Sequence, residues 1–230
     1  MALAVVALHV CTIVFLGTHP LGSLFGNLLQ VFCSLLAAAM CFHAARRVHG
    51  FSQSFWILVG VGMGVWGVAD LGWMYSEVVL HAVPEPGSIV RFLFDTQGMF
   101  FVMAIFLNQE KEDATVDLEE ALDFIQIGIL FFFIYFGMYF LPAATLGPHA
   151  ALGREMTVVF LTDAGIILLC LLQWRRGRLP QVRALYGGLA LYIVIYAIFS
   201  LTAEYLQSSQ EQPTGTWLDL AWSLPLLYGA

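Results

Sequence analysis

Hydrophobic positions form long runs along this chain, and short polar stretches separate them. The runs are about 20 residues long, as a membrane-crossing α-helix requires, whereas the strands of a barrel would be about 10 residues of strict alternation. We predict helices over residues 1–17, 21–44, 52–80, 88–107, 119–141, 153–174, 183–206 and 216–230. The pattern therefore predicts an all-α integral membrane bundle of eight transmembrane helices, or of seven if residues 1–17 lie on the membrane. Residues 1–230 then form a single transmembrane domain.

Composition supports this membrane interpretation. The 230 residues are 60% hydrophobic and 11% charged, whereas soluble domains carry about 25% charged residues. The first segment lacks both a basic start and a small-residue cleavage site, so we do not interpret it as a cleaved signal peptide. The four cysteines lie in apolar segments without CxxC spacing, which indicates packing rather than disulfide or zinc chemistry.

Basic residues predict the orientation, because Lys and Arg are retained in cytoplasmic loops. Seven of the nine Lys and Arg residues fall in alternate loops: Arg46, Arg47, Lys111, Arg175, Arg176, Arg178 and Arg183. Residues 108–118 and 175–183 are then cytoplasmic, and residues 81–88 and 207–215 are outside. The last segment runs inward for 15 residues, or about 22 Å of a hydrocarbon core near 30 Å. We expect the natural helix to continue past Ala230, so that its C-terminal end lies in the cytoplasm.

Carboxylates are the most informative residues in the apolar segments, because each costs roughly 2.5 to 3.5 kcal/mol inside a bilayer on insertion scales. Asp70, Glu77 and His81 are spaced by seven and four residues and therefore share one face of a helix. Other acids lie at a similar depth in the outer halves of their segments. We predict that an outward-facing ligand site includes Asp70, Trp73, Glu77, His81, Asp95, Asp163, Glu204 and Asp219.

Two physical interpretations of these acids stay open. Either they are protonated and hydrogen-bonded, because burial and like charges favour the neutral carboxyl, or a metal ion or amine supplies positive charge. Oxygen-rich ligation with one imidazole suits Mg, Ca or Mn. The candidate metal ligands are Asp70, Glu77, His81 and Asp163. Arg91 and Asp95, four residues apart, are expected to form a structural ion pair, and acids near helix ends can also be hydrated at the interface.

Several membrane chemistries find no support in the sequence. Retinal needs a lysine in a helix, and the only lysine, Lys111, lies in an acidic loop. A bis-histidine haem needs two histidines at one depth, but His9, His43 and His81 lie in different layers. No HExxH, GxSxG or P-loop motif occurs, and nothing indicates a nucleic-acid partner. A cation carrier or metal-dependent membrane enzyme that uses the same acids is the alternative function.

Four short motifs carry a resemblance to a known group. The pattern Trp73-x-Tyr75-x-Glu77, Pro84-x-Pro86, Arg91-Phe-Leu-Phe94 and Asp123-Phe-x-Gln126 resembles the amino-terminal multi-helix regions of bacterial, especially acidobacterial, membrane-bound signalling proteins. In that group such regions precede diguanylate cyclase or histidine kinase domains. The resemblance implies a non-catalytic sensory domain of the bacterial cytoplasmic membrane that acts as a homodimer and passes a signal through its last helix.

Overall fold

The computed structural model describes residues 2–85, 87–110, 116–209, 216–217 and 219–229. Every regular element in these residues is a helix, which confirms the all-α prediction, and each predicted apolar segment falls on a helix. In chain order the helices are α1 (Ala2–Leu16), α2 (Pro20–Ala45), α3 (Phe51–Val78), α4 (Ile89–Ile105), α5 (Leu118–Tyr135), α6 (Leu141–Leu146), α7 (Pro148–Arg176), α8 (Pro180–Ser209) and α9 (Asp219–Gly229). A π-helical segment, Phe136–Phe140, joins α5 to α6.

Five of the described helices are long and apolar enough to cross a membrane. They span Pro20–Ala45, Phe51–Val78, Leu118–Leu146, Thr157–Arg176 and Pro180–Thr202. By contrast, α1, α4 and α9 have 15, 17 and 11 residues, so at 1.5 Å per residue each is shorter than a core of about 30 Å. The helices thus fit a membrane protein, and the count of eight crossings stays a prediction.

Polar side chains satisfy backbone groups at helix ends that have no partner within the helix. α5 begins after Asp117, whose carboxylate accepts a hydrogen bond from the Glu120 N–H at 2.9 Å, as expected of an N-cap residue. At the end of α4, the Ile105 carbonyl accepts from Gln173 Nε2 at 3.2 Å and from the Tyr186 hydroxyl at 3.3 Å. These bonds satisfy a carbonyl that the helix itself leaves without a donor, and they attach α4 to α7 and α8.

Glycines allow α3 to lie very close to α2. A Cβ atom added at Gly67 would lie 2.9 Å from Leu35 Cδ2 and 3.1 Å from Ser34 Oγ, and one added at Gly60 would lie 3.1 Å from Cys41 Cβ. Small residues at such contacts let two membrane helices approach closely, so that van der Waals packing holds them together. The glycines at these two positions therefore let α2 and α3 pack closely against each other.

The apolar core lies between α1, α2, α3, α4, α7, α8 and α9. One of its aromatic contacts joins Phe55 to Tyr186, with ring centroids 5.7 Å apart at 90°. The outer surface where α5 meets the π segment differs, because Phe132 and Phe136 stack on each other there, with ring centroids 6.1 Å apart, while both side chains remain exposed. Lipid tails would cover such a surface in a membrane, so the exposed aromatic side chains fit the membrane interpretation.

Candidate functional site

A cavity of about 70 Å³ lies between α3, α4, α5, α7 and α8. Its polar lining comes from Asp95 and Gln97 of α4 and from Thr162 and Asp163 of α7. Gln97 is 4% exposed and Asp163 is 9% exposed, so both are buried. The fold thus brings together two of the predicted site residues, Asp95 and Asp163, from helices that are distant in sequence.

The Trp66 ring and the two aromatic rings that it contacts form another part of the cavity lining. The Trp66 ring of α3 meets the Phe94 ring at 4.8 Å and 71°, and it meets the Tyr196 ring of α8 at 5.3 Å and 90°. These edge-to-face contacts are the favoured arrangement for aromatic pairs. Their mutual packing fixes the position of the rings beside the two acids.

Two tyrosines, Tyr135 and Tyr139, line the cavity from the end of α5 and from the π segment. The Tyr135 hydroxyl donates a hydrogen bond to the Ser88 carbonyl at 2.6 Å, which connects this part of α5 to the start of α4. Single π turns within α-helices occur frequently at functional sites. Here the irregular turn lies directly at the cavity.

The Gln97 amide is held in place by two neighbours. Its Nε2 atom donates to the Tyr192 hydroxyl at 3.3 Å and lies 3.3 Å from the Met63 sulfur. Tyr192 also stacks on Tyr196, with ring centroids 6.4 Å apart at 14°. Because these contacts restrict the amide, Gln97 contributes a polar group with a fixed position to the cavity lining.

Asp70 and Glu77 form hydrogen bonds across the α2–α3 contact and are not among the residues that line the cavity. The Ser34 hydroxyl donates to Asp70 Oδ2 at 2.9 Å, and Asn27 Nδ2 donates to Glu77 Oε2 at 2.9 Å. The shared face that the seven-residue spacing predicts on α3 therefore meets residues of the same spacing on α2. Both acids have a structural partner.

Trp73 lies near the cavity but outside its lining. The Arg91 guanidinium carbon is 5.0 Å from the centre of the Trp73 ring, which is cation–π geometry. The same ring lies 6.2 Å from that of Phe94, which does line the cavity. Trp73 thus joins the aromatic lining to a cationic side chain of α4.

The remaining predicted residues are dispersed. His81 is exposed in the segment after α3, with a φ of 53°, and Asp219 is buried at the start of α9. The Glu204 side chain lies outside the described residues. Among the side chains that the structure describes, no three His, Cys, Asp or Glu residues are grouped as a metal ion requires. No three of the predicted metal ligands, Asp70, Glu77, His81 and Asp163, are therefore grouped among the described side chains.

Sequence reasoning did not identify the polar and aromatic residues that complete the lining. Gln97, Tyr135, Tyr139 and Tyr196 all contribute to it. A usable signal was present, because Tyr135 and Tyr139, and likewise Tyr192 and Tyr196, are four residues apart in apolar helices and so share a face. Buried tyrosine hydroxyls usually need a partner, so such pairs indicate a polar surface inside the bundle.

The fold and the cavity together define an all-helical protein with apolar helices of membrane-spanning length and a small cavity lined by acids and aromatic rings. No family model, no curated protein and no solved structure matches the chain. The resemblance to bacterial sensor regions stays a prediction on that account.

Proposed function

We propose that this chain is a multi-pass sensory domain of the bacterial cytoplasmic membrane, which binds a small molecule or cation in the cavity and passes the change to α9. We expect the bundle to cross the lipid bilayer eight times, or seven if α1 lies on the surface, with its C-terminal end in the cytoplasm. In the group that it resembles, such regions precede diguanylate cyclase or histidine kinase domains. We expect such an output domain and a homodimer here as well.

The observation that carries this proposal is the position of Tyr196. Its ring lines the cavity, and it also contacts the Trp222 ring of α9, with centroids 6.3 Å apart at 53°. Protein interiors are densely packed, so a ligand that displaces Tyr196 requires Trp222 to adjust. Cavity occupancy can therefore bias the position of α9, provided that the helices have two stable packings.

These contacts belong to a longer set of ring contacts that we call the aromatic series, formed by Trp73, Phe94, Trp66, Tyr196 and Trp222. Successive centroids are 6.2, 4.8, 5.3 and 6.3 Å apart. The aromatic series extends from the later part of α3, beside Arg91, through the cavity lining to α9. It supports the proposal because it connects the ligand site to the last helix through direct contacts.

The cavity also bears on the alternative of a cation carrier. Carboxylates that line a continuous path from the cavity to Asp123 of α5, at the other end of the bundle, would favour a carrier. The residues that line the cavity do not include Asp123. This arrangement favours a receptor over a carrier.

A cavity-filling substitution tests the proposal without any ligand. Gly98 lines the cavity, and a Cβ atom added there would lie 3.6 Å from atoms of Ile166, Phe131 and Thr162. We expect Gly98→Met to occupy the cavity and to change hydrogen–deuterium exchange of the α9 backbone in detergent-purified protein. Exchange is the suitable measurement because it reports local opening of a single helix.

Two further variants make the test specific. Gly165→Met serves as the matched control, because nothing lies within 4 Å of a Cβ atom added at Gly165, and α9 exchange should then stay at the wild-type rate. Adding Trp222→Ala to Gly98→Met should remove the effect on α9. Unchanged α9 exchange in a folded Gly98→Met protein would overturn the proposed relay.

A further inference from the structure

The size of the cavity limits its ligand. Its volume is about 70 Å³, roughly half that of an apolar cavity of ~150 Å³ that takes up benzene with its six non-hydrogen atoms. A ligand of about three or four non-hydrogen atoms is therefore the largest that fits without rearrangement. The best ligands of that size reach a Kd of about 40 µM, so the expected affinity lies in the range from tens of micromolar to millimolar.

The acids determine which charge the cavity accepts. Asp95 and Asp163 line it from two different helices, and Asp163 is buried. Electrostatic interactions are stronger in such a low-dielectric environment than in water. Two carboxyl groups in one cavity lining favour a cation over an anion, and the Gln97 amide adds a further polar group to that lining.

The aromatic rings determine which kind of cation fits. Trp66, Phe94 and Tyr196 present apolar surface at the cavity, and aromatic faces attract organic cations within about 6 Å of the ring centre. A divalent metal ion instead needs about six oxygen ligands, and the described part of the chain holds no grouping of three metal-binding side chains. The lining therefore favours an ammonium group that carries alkyl substituents over a hydrated metal ion.

We propose that the cavity binds a small aliphatic ammonium ion of the size of ethylammonium, with its nitrogen at Asp95 and Asp163 and its alkyl part against Trp66 and Phe94. This inference rests on the proposed function, since it names the ligand class of the same cavity. It assigns charge recognition to the two acids and size selection to the aromatic rings.

Calorimetric titration and melting of the purified chain at constant ionic strength test the inference. The probes are ethylammonium chloride, ethanol as a neutral molecule of the same size, tetraethylammonium as an oversized cation, and magnesium chloride. We expect saturable binding of ethylammonium alone, with a rise in Tm of about 5–10 °C at a hundred times its Kd. Asp163→Asn should weaken this binding at least about tenfold, while Asp123→Asn, outside the lining, should not change it.

Each of the other possible results would overturn the ammonium inference. Equal binding of ethanol would show recognition of shape without charge, and binding of magnesium or of tetraethylammonium would show a different ligand class, so each overturns the ammonium inference. The same holds if no probe binds, or if Asp163→Asn leaves ethylammonium binding unchanged. Should Asp163→Asn fail to fold, Asp95→Asn replaces it, and the comparison of ethylammonium with ethanol needs no variant. The exchange of α9 in Gly98→Met uses no ligand and therefore reports separately on the proposed function.

Discussion

The hydrogen bond between Ser34 and Asp70 provides the sharpest test of the α2–α3 packing. The two oxygens are 2.9 Å apart, and the side chains are 0% and 6% exposed. Ser34→Ala removes the donor and leaves a buried carboxyl group with one partner fewer, which costs about 1–3 kcal/mol of the free energy of unfolding. Hydrogen bonds between membrane helices average about 0.6 kcal/mol and reach about 1.7 kcal/mol in double-mutant cycles. We therefore expect a coupling energy of about 1 kcal/mol between Ser34→Ala and Asp70→Ala, because alanine removes the acceptor that an asparagine would keep.

The contact between Asn27 and Glu77 is a matched control for this cycle. It joins the same two helices over the same distance, 2.9 Å, but Glu77 is only partly buried. Asn27 Nδ2 also donates to the Ser23 carbonyl at 2.9 Å, so it keeps a partner when Glu77 changes. The coupling between Asn27→Ala and Glu77→Ala should be about 0.6 kcal/mol or less.

Unfolding of the purified variants in mixed micelles by increasing fractions of sodium dodecyl sulfate gives the required free energies. Each cycle needs the wild type, two single variants and the double variant, since only the cycle separates the pairwise interaction from the effects of each change. A coupling energy of zero for Ser34 and Asp70 would refute the reasoning. A larger coupling for Asn27 and Glu77 would contradict the assigned order of burial.

Two further predictions use other parts of the chain. Gly67→Val should lower the free energy of unfolding by about 1–3 kcal/mol through overpacking, while Gly64→Val should have little effect, because nothing lies within 4 Å of a Cβ atom added at Gly64; equal losses would contradict the close approach of α2 and α3. In intact cells, an impermeant maleimide should label a cysteine placed at His81 but not one at Arg178, in a Cys11→Ser background because Cys11 is exposed. Labelling of the cysteine at Arg178 from outside would overturn the predicted orientation.

The helices were predictable because hydropathy acts locally. A long apolar run such as Phe51–Val78 satisfies its backbone only as a helix when water is absent, and a polar residue such as Asp117 identifies where a helix begins. The extension of α7 back to Pro148 was not predicted, because the polar residues near Arg154 interrupt the hydropathy pattern without interrupting the helix.

The cavity was only partly predictable because it depends on which helices meet. Periodicity placed Asp70 and Glu77 on one face of α3, but it could not show that this face meets α2 rather than the cavity. Asp95 and Asp163 lie far apart in sequence, and only the packing of α4 against α7 gives them a common cavity. The depth of a residue in the membrane can be predicted from its own segment. The helix that the residue packs against depends on how the whole bundle is arranged.

The two hydrogen bonds between α2 and α3 also define a mechanical unit. Asn27 and Ser34 are seven residues apart, as are Asp70 and Glu77, so the bonds stand about 10.5 Å apart along the helix axes. Sliding one helix along the other by a few ångströms breaks both bonds together, and only a full heptad step would bring equivalent positions opposite one another. We therefore expect the α2–α3 hairpin to resist sliding of one helix along the other. Under the proposed sensory function, any displacement would then fall on the helices that pack around it.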